Sequence, residues 1–210
     1  SLHNADQIEK LNLRVGDYVY VEKGGEIIPK IMGFDPERRG NLADAIQYIE
    51  NCPDCGSPLE RIEGEAQHYC INDANCPTQI IGKIQHFVGR KAMDIEGIGS
   101  ETVSLLYQQG LIRTIADLYR LTADDLLPLE RMAQKSVDNL LAGVAASKKQ
   151  PFAKVLFGLG IRHVGETVAK RLVKHFGSME ALANASYEVL LEVDDVGEKI
   201  VESLQAYFAN

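Results

Sequence analysis

A three-residue turn motif occurs four times between residues 97 and 197 of this 210-residue chain, each time directly before an apolar helical pattern. The four copies are Gly97-Ile98-Gly99, Arg131-Met132-Ala133, His163-Val164-Gly165 and Asp195-Val196-Gly197. A further short apolar segment lies upstream, as at Phe152 to Phe157 before the third copy. The copies start 34, 32 and 32 residues apart, and repeats of this length are typical of stacked helix–turn–helix units. The repeat therefore predicts an all-α region over residues 80–210 that contains four units of helix, tight turn and helix.

The glycines of these turns indicate a surface that can meet a phosphate. Gly97, Gly99, Gly165 and Gly197 precede helix starts, where free backbone N–H groups and the positive end of the helix dipole can receive an anion. A sharp turn between helices also needs positive backbone angles, which glycine adopts without steric cost. Such a contact holds a duplex without reading its bases. The alternative is that the glycines only allow two helices to pack closely.

Basic residues behind the third turn favour contact with DNA. Between Lys154 and Lys174 the chain carries five basic residues and the single acid Glu166. We therefore predict DNA contacts from Gly97, Gly99, Gly165, Lys170, Arg171 and Lys174. The copies are not equivalent, because the second has lost both glycines and the fourth lies among acids. Those two copies are expected to be mainly structural.

The four cysteines of the chain predict a metal site. Cys52, Cys55, Cys70 and Cys76 are arranged as C-x2-C, fourteen residues, then C-x5-C. Four soft thiolates match the tetrahedral preference of Zn(II), and a closed thiolate shell indicates a structural zinc rather than a catalytic one. The alternatives are two disulfides, which need an oxidising compartment, or redox and iron–sulfur chemistry. We predict an irregular four-cysteine zinc finger, with His68 as a solvated loop residue and not a fifth ligand.

The first part of the chain has a β pattern. Residues 13–34 are rich in β-formers, and Gly24-Gly25 separates two predicted strands as a hairpin turn. Asp35-Pro36 then predicts a loop. The expected result is a small antiparallel β unit.

The charge and hydropathy of the chain limit its partners. The formal net charge of −8 argues against nucleic acid, since phosphate contacts come from clustered Lys and Arg. The uneven distribution of charge nevertheless permits a basic patch on an acidic molecule. No apolar run approaches the roughly 20 residues that span a bilayer, and we expect neither a membrane segment nor a secretory signal.

The order of these features resembles the region of bacterial NAD-dependent DNA ligases that follows their nucleotidyltransferase domain. The segments that carry the resemblance are Leu2-His3-Asn4, Leu13-Arg14-Val15-Gly16-Asp17 and Gly25-Glu26-Ile27-Ile28-Pro29-Lys30 for the OB domain, Cys52-Pro53-Asp54-Cys55-Gly56 for the zinc finger, and Leu159-Gly160-Ile161-Arg162-His163-Val164-Gly165-Glu166-Thr167 for the third helix-hairpin-helix motif. The resemblance implies a multi-domain fold. Its parts are the end of an OB barrel over residues 1–45, the zinc finger over 46–79, and four tandem helix-hairpin-helix repeats over 80–210.

The resemblance also implies a function. Enzymes of this family use NAD and Mg(II) to adenylate a lysine in a K-x-D-G motif, transfer AMP to the 5′-phosphate of a nick, and seal the nick in DNA replication and repair. No K-x-D-G occurs in this sequence, so we expect a fragment without the adenylation domain and with no catalytic residue within it. Because the chain stops at Asn210 soon after the fourth repeat, we also expect it to lack the BRCT domain. Lys30, with Arg14 and Lys23, is a candidate phosphate contact; ordinary strand-edge charge is the alternative.

The expected partner is nicked double-stranded DNA, bound by a monomer in the bacterial cytoplasm beside the nucleoid. The competing interpretation is a non-catalytic zinc and helix-hairpin-helix module of another repair or recombination protein. A protein-interaction scaffold is a third possibility, which the acidic fourth repeat permits.

Overall fold

The computed structural model describes residues 2–23, 25, 28–40 and 44–209 of the chain. It divides into two compact units, Ser1–Pro77 and Thr78–Asn210. The first contains two small antiparallel sheets and a four-cysteine cluster, and the second is helical, which confirms the predicted fold class. Gly24 and Ile27, assigned above to the hairpin turn and the second strand, lie outside the described residues.

The first unit begins with a helix that the sequence analysis did not predict. Helix α1 spans Ala5–Leu11, and the Asn4 side chain accepts a hydrogen bond from the Gln7 backbone N–H at 3.0 Å. The helix ends at Asn12, which adopts the left-handed conformation with φ 46°. Asparagine is a strong helix-start residue, so the signal was present in the sequence. The β pattern predicted from residue 13 begins later, because Arg14 makes only an isolated bridge with Ala45.

Strands β1 (Val19–Glu22) and β2 (Lys30–Phe34) form the predicted antiparallel pair. A 3₁₀ turn over Pro36–Arg38 follows β2 and brings Arg39 against Asp17. The guanidinium donates two hydrogen bonds to that carboxylate, at 2.8 and 2.5 Å, and lies 3.5 Å over the Phe34 ring. Because the Asp17 side chain is only 2% exposed, this ion pair stabilises the β unit from its interior.

The segment between the cysteine pairs forms a second small hairpin. Strands β3 (Leu59–Arg61) and β4 (His68–Cys70) pair antiparallel, with Arg61 opposite His68. The prediction that His68 is a solvated loop residue is wrong. His68 is half-buried in β4, and its ring lies 4.8 Å from that of Tyr48. Strand pairing fixes this position, and sequence spacing alone does not reveal it.

Nine helices follow in the described part of the second region: α2 (Pro77–Val88), α3 (Ser100–Gln108), α4 (Ala123–Leu126), α5 (Gln134–Ser147), α6 (Phe152–Gly158), α7 (Glu166–Phe176), α8 (Met179–Ala183), α9 (Tyr187–Leu191) and α10 (Glu198–Phe208). A 3₁₀ segment over Ile115–Arg120 lies between α3 and α4. Among the described residues, no helix combines the length and apolar character that a bilayer crossing requires.

Local signals explain most of these helix ends. A capping box is present at α4, where Thr122 and Asp125 exchange hydrogen bonds, and Gly177 ends α7 with φ 73°. Helix α2 starts at Pro77, one residue before Thr78. Pro77 occupies the first helical position, where its fixed φ suits the helix and its missing N–H removes no intrahelical bond.

The four repeats share two hydrophobic cores, one for each pair of repeats. The first core includes Val103, Leu106, Val137 and Leu140, and α2 packs on it through Ile84 and Phe87. The second core includes Leu156, Ala169, Leu172, Val201 and Leu204. Each pair of hairpins therefore buries the apolar faces that a single hairpin would leave exposed.

Candidate metal centre and nucleic-acid interface

The sulfur atoms of Cys52, Cys55, Cys70 and Cys76 converge on one point. All four Sγ atoms lie within 4.8 Å of one another, with Cys52 and Cys76 4.0 Å apart and Cys55 and Cys70 3.5 Å apart. A tetrahedral ion with Zn–S bonds of about 2.3 Å separates its sulfurs by about 3.8 Å. Disulfide sulfurs would lie about 2.0 Å apart, whereas these cysteines are free thiols. The donor set and its spacing thus fit one Zn(II).

Two short turns present these sulfurs. The Gly56 N–H donates to the Cys52 carbonyl at 2.8 Å, and the positive φ of Gly56, 72°, lets the chain turn sharply beside Cys55. Cys70 closes strand β4, and the Cys76 N–H donates to the Asn72 carbonyl at 2.8 Å directly before α2. The first pair is a tight knuckle and the wider second pair is a turn, which accounts for the unequal spacing in the sequence.

Metal-free Cys55 and Cys70 have opposite pKa shifts. Hydrogen bonds from the Ser57 side chain and backbone lower the pKa of Cys55 to about 6. Burial raises the pKa of Cys70 to about 11. A bound cation favours the thiolate at every ligand and offsets the burial of Cys70. Ser57 was missed in the sequence analysis, and its place two residues after Cys55 is the one signal that could have indicated it.

All four hairpin turns have the same backbone conformation. The first residue of each triplet has a positive φ: 84° at Gly97, 65° at Arg131, 66° at His163 and 60° at Asp195. The third residue is extended and stands at the N-cap, with φ of −91° at Gly99, −72° at Ala133, −79° at Gly165 and −95° at Gly197. The repeat found in the sequence is therefore a repeat of backbone geometry, even where glycine is absent.

The expectation that the turn glycines all supply positive backbone angles is wrong for three of them. Gly99, Gly165 and Gly197 have extended angles that any residue adopts, and a Cβ at each would meet nothing within 4 Å. Gly97 differs, because its φ is positive and a Cβ there would lie 3.0 Å from the Leu140 Cα. Gly97 thus has an internal packing role, whereas the molecule itself gives no steric reason for glycine at the other three positions.

The helix starts after these turns lack side-chain caps. The N-cap residues of α3, α7 and α10 are glycines, which have no side chain to accept a hydrogen bond from the first helical turn. By contrast, Asn4, Thr122, Ser178 and Ser186 cap four other helices of the same chain. The N–H groups at the hairpin turns are thus directed to solvent or to a ligand.

The basic residues of α7 lie together, but two of them have acidic partners. Lys170 pairs with Glu166 at 2.9 Å, one helical turn away, and Arg171 pairs with Asp195 of the fourth triplet. Lys174 is exposed on the same helix. The i,i+4 spacing signals the Glu166 pair in the sequence. The Asp195 pair joins two repeats and has no local signal.

Lys30 lies in the other compact unit. It begins β2, is exposed, and stands opposite Glu22 in the strand register. The structure therefore does not distinguish a phosphate contact at Lys30 from ordinary strand-edge charge, and its role stays a prediction.

Comparison with known families matches successive segments of the chain to separate domain models. Models described as the OB-fold domain and the C4 zinc finger domain of NAD-dependent DNA ligase match residues 1–43 and 51–77. A SAM-like helix-hairpin-helix tandem matches residues 90–145, and a helix-hairpin-helix motif matches residues 154–210. The chain is thus an assembly of an OB segment, a four-cysteine finger and paired hairpins, in the order that the sequence analysis expected.

Relatives extend this match over the whole chain. A protein of Phocaeicola vulgatus named DNA ligase is 59% identical over 210 residues, which is 100% of this chain and 32% of that protein. A DNA ligase of Christiangramia forsetii is 60% identical over 208 residues, or 99% of this chain and 31% of the relative. The chain spans about a third of the length of the curated relatives it matches. It belongs to the NAD-dependent DNA ligase family, and the comparisons do not favour another repair module.

Proposed function

We propose that this chain is the part of an NAD-dependent DNA ligase that holds duplex DNA without reading its sequence. The observation that carries the proposal is the third hairpin turn, where Gly165 is extended, open to its surroundings and followed by an uncapped helix start. Such N–H groups suit a phosphate oxygen, and glycine permits the close approach of a DNA strand. Lys170, Arg171 and Lys174 on α7 supply positive charge behind this turn.

Gly99 offers the same geometry in the first repeat, and we propose that it is a second phosphate contact. Gly97 supports it by holding the turn against α5. In the fourth repeat Gly197 has an equally open turn, but that turn begins with Asp195, whose charge repels phosphate, where the third begins with His163. The first and third turns are therefore the proposed DNA contacts.

The proposed metal is Zn(II), held by Cys52, Cys55, Cys70 and Cys76. Bound zinc would supply structural stability and no open coordination site, because four thiolates complete its shell. The boundaries proposed for the three modules are residues 1–45, 46–79 and 80–210.

We propose that the whole ligase uses NAD and Mg(II) to seal nicks during replication and repair, and that this chain contributes binding alone. The proposed substrate is nicked duplex DNA in the bacterial cytoplasm beside the nucleoid, and the proposed binding species is a monomer. The family's adenylated lysine lies in a K-x-D-G motif that this sequence lacks. The isolated chain should therefore bind DNA without joining it.

The test compares Gly165→Val with the matched variant Gly197→Val. Both positions are extended and sterically open, so neither substitution disturbs its turn. Gly165→Val should weaken binding to nicked duplexes of any sequence, whereas Gly197→Val should have little effect. Fluorescence anisotropy against salt concentration measures both, and circular dichroism checks the fold.

Replacing Lys170 and Arg171 together with Ala gives an independent readout. The logarithm of the association constant falls linearly with the logarithm of the salt concentration, and each lost phosphate contact makes this slope shallower by about 0.9. The slope of the double variant should therefore be shallower by up to about 1.8. Folded Gly165→Val and double variants that both keep the parent's affinity and slope would refute the proposed role of the third repeat.

A further inference from the structure

The loop that leads into the first hairpin packs against a helix of the third repeat. This loop, residues 89–95, follows α2 and precedes the Gly97 turn. A Cβ built on Gly158 of α6 would lie 3.2 Å from the Ala92 Cβ and 3.1 Å from the Phe87 ring. Close by, the His86 Nε2 lies 2.8 Å from the Phe157 carbonyl oxygen. Residues distant in sequence are thus in direct contact at this point.

Hydrogen bonds and burial hold the backbone of the 89–95 loop in place. The Ala92 N–H donates to the Gly89 carbonyl at 2.9 Å, and the Met93 N–H donates to the Phe87 carbonyl at 3.0 Å. The Gln150 side chain donates to the Met93 carbonyl at 3.1 Å, while Ala92 and Met93 are 1% and 4% exposed. Lys91 directly precedes this buried pair and is itself exposed. The exposed Lys91 side chain therefore extends from a backbone that hydrogen bonds hold in place.

The positive charge of Lys91 acts on the first residue of α7. Lys154 lies one helical turn before Gly158, on the face of α6 that meets the 89–95 loop. Hydrogen bonding by Lys170 is the main cause that lowers the pKa of Glu166, and the positive charges of Lys91 and Lys154 lower it further. The charges of three lysines thus act on one carboxylate, which directly follows the open Gly165 turn.

We infer that Lys91 and Lys154 belong to the DNA-contact surface of the third repeat, where they contact phosphates of the duplex backbone next to Gly165. The inference rests on the proposed function. A phosphodiester backbone is the partner that fits, because lysine ammonium groups act as point charges with no fixed fork geometry and suit sequence-independent contact. The surface is then composite, since Lys91 comes from the entry to the first repeat and Lys154 from the third.

The experiment measures anisotropy of a nicked duplex with the intact, zinc-loaded chain. Lys91→Gln should lower the salt slope by about 0.9 and, with an unchanged intercept at 1 M salt, reduce affinity about eight-fold at about 0.1 M salt. Lys91→Arg should restore both. Lys199→Gln is the matched control, because it removes the same charge from the fourth repeat between Glu198 and Glu202.

Three outcomes would overturn the inference while the chain stays folded by circular dichroism. They are an unchanged slope for Lys91→Gln, an equal loss for Lys199→Gln, and a polyglutamate peptide that competes as strongly as DNA. If the parent fails to bind DNA, or Gly165→Val binds as the parent does, the proposed function fails. If Gly165→Val weakens binding and Lys91→Gln does not, the proposed function stands and the inference about Lys91 is wrong.

Discussion

Helix α5 and the turn of the first repeat approach each other so closely that Gly143 has no room for a side chain. A Cβ at Gly143 would lie 2.3 Å from the Glu96 carbonyl oxygen and 3.1 Å from the Glu96 backbone nitrogen. Neither neighbour is a flexible side chain. Gly143→Ala must therefore displace α5 from the turn and disturb the core residues Leu140 and Val144.

The matched substitution is Gly82→Ala in helix α2. Gly82 is also helical, is exposed, and has nothing within 4 Å of its Cβ position. Replacing glycine by alanine inside a helix stabilises it by about 1 kcal/mol, so Gly82→Ala should stabilise the protein by that amount. At Gly143 the same gain is opposed by overpacking of about 1–3 kcal/mol, at the upper end because both surfaces are backbone. We expect a net destabilisation of about 1–2 kcal/mol.

Thermal unfolding followed by far-ultraviolet circular dichroism measures the two variants against the parent, all with zinc bound. At roughly 3–6 °C per kcal/mol, the helical transition should fall by about 3–12 °C for Gly143→Ala and rise by about 3–6 °C for Gly82→Ala. A Gly143→Ala variant as stable as Gly82→Ala would show that α5 does not meet the Glu96 backbone as described.

Four further outcomes are expected. Cys70→Ser should reduce the zinc content of about one ion per chain and destabilise the first unit; metal analysis showing little zinc in the reduced parent would contradict the site. Asp195→Asn should remove an acid that repels phosphate beside Arg171 and thereby raise DNA affinity, measured by anisotropy; no change would mean that the Asp195 charge does not oppose phosphate binding. Hydrogen bonds donated by the Arg113 and Thr114 backbones lower the pKa of Asp117, so its stabilisation is fully present above the ordinary pKa of the carboxyl and is lost as pH falls through the lowered pKa. Asp117→Ala should thus lower the free energy of unfolding by about 0.5–2 kcal/mol at pH 7. This difference from the parent should shrink as the pH falls, and a difference that stays constant in acid denaturation would refute that assignment. Labelled NAD should leave no band at the mass of the isolated chain in denaturing electrophoresis, and such a band would place the reactive lysine here.

Sequence periodicity predicted the helical repeat well because each hairpin is a local structure. The bounds of α7 and α10 follow from an apolar stripe and, for α7, a closing Gly177, signals that act within a few residues. The cysteine cluster was equally predictable from the sequence, because four soft ligands so close in the chain serve few purposes other than metal binding. Helix α1 was missed although Asn4 signals its start.

Contacts between distant segments were not predictable from the same signals. The two hydrophobic cores, the Arg171–Asp195 pair and the approach of Ala92 to Gly158 all depend on how repeats pack in pairs. The role of glycine in the turns was also misassigned. One sequence shows where glycine occurs, but only backbone angles separate Gly97, which needs a positive φ, from Gly165, which does not.

The middle residue of each turn also has a thermodynamic consequence. Ile98, Val164 and Val196 are each at most 7% exposed, so three of the hairpin turns are anchored in a core by their central side chain. A turn held in this way has little conformational entropy to lose when a phosphate arrives. Binding should therefore draw its favourable entropy from released counterions, and its heat-capacity change should be smaller than that of a protein that folds as it binds.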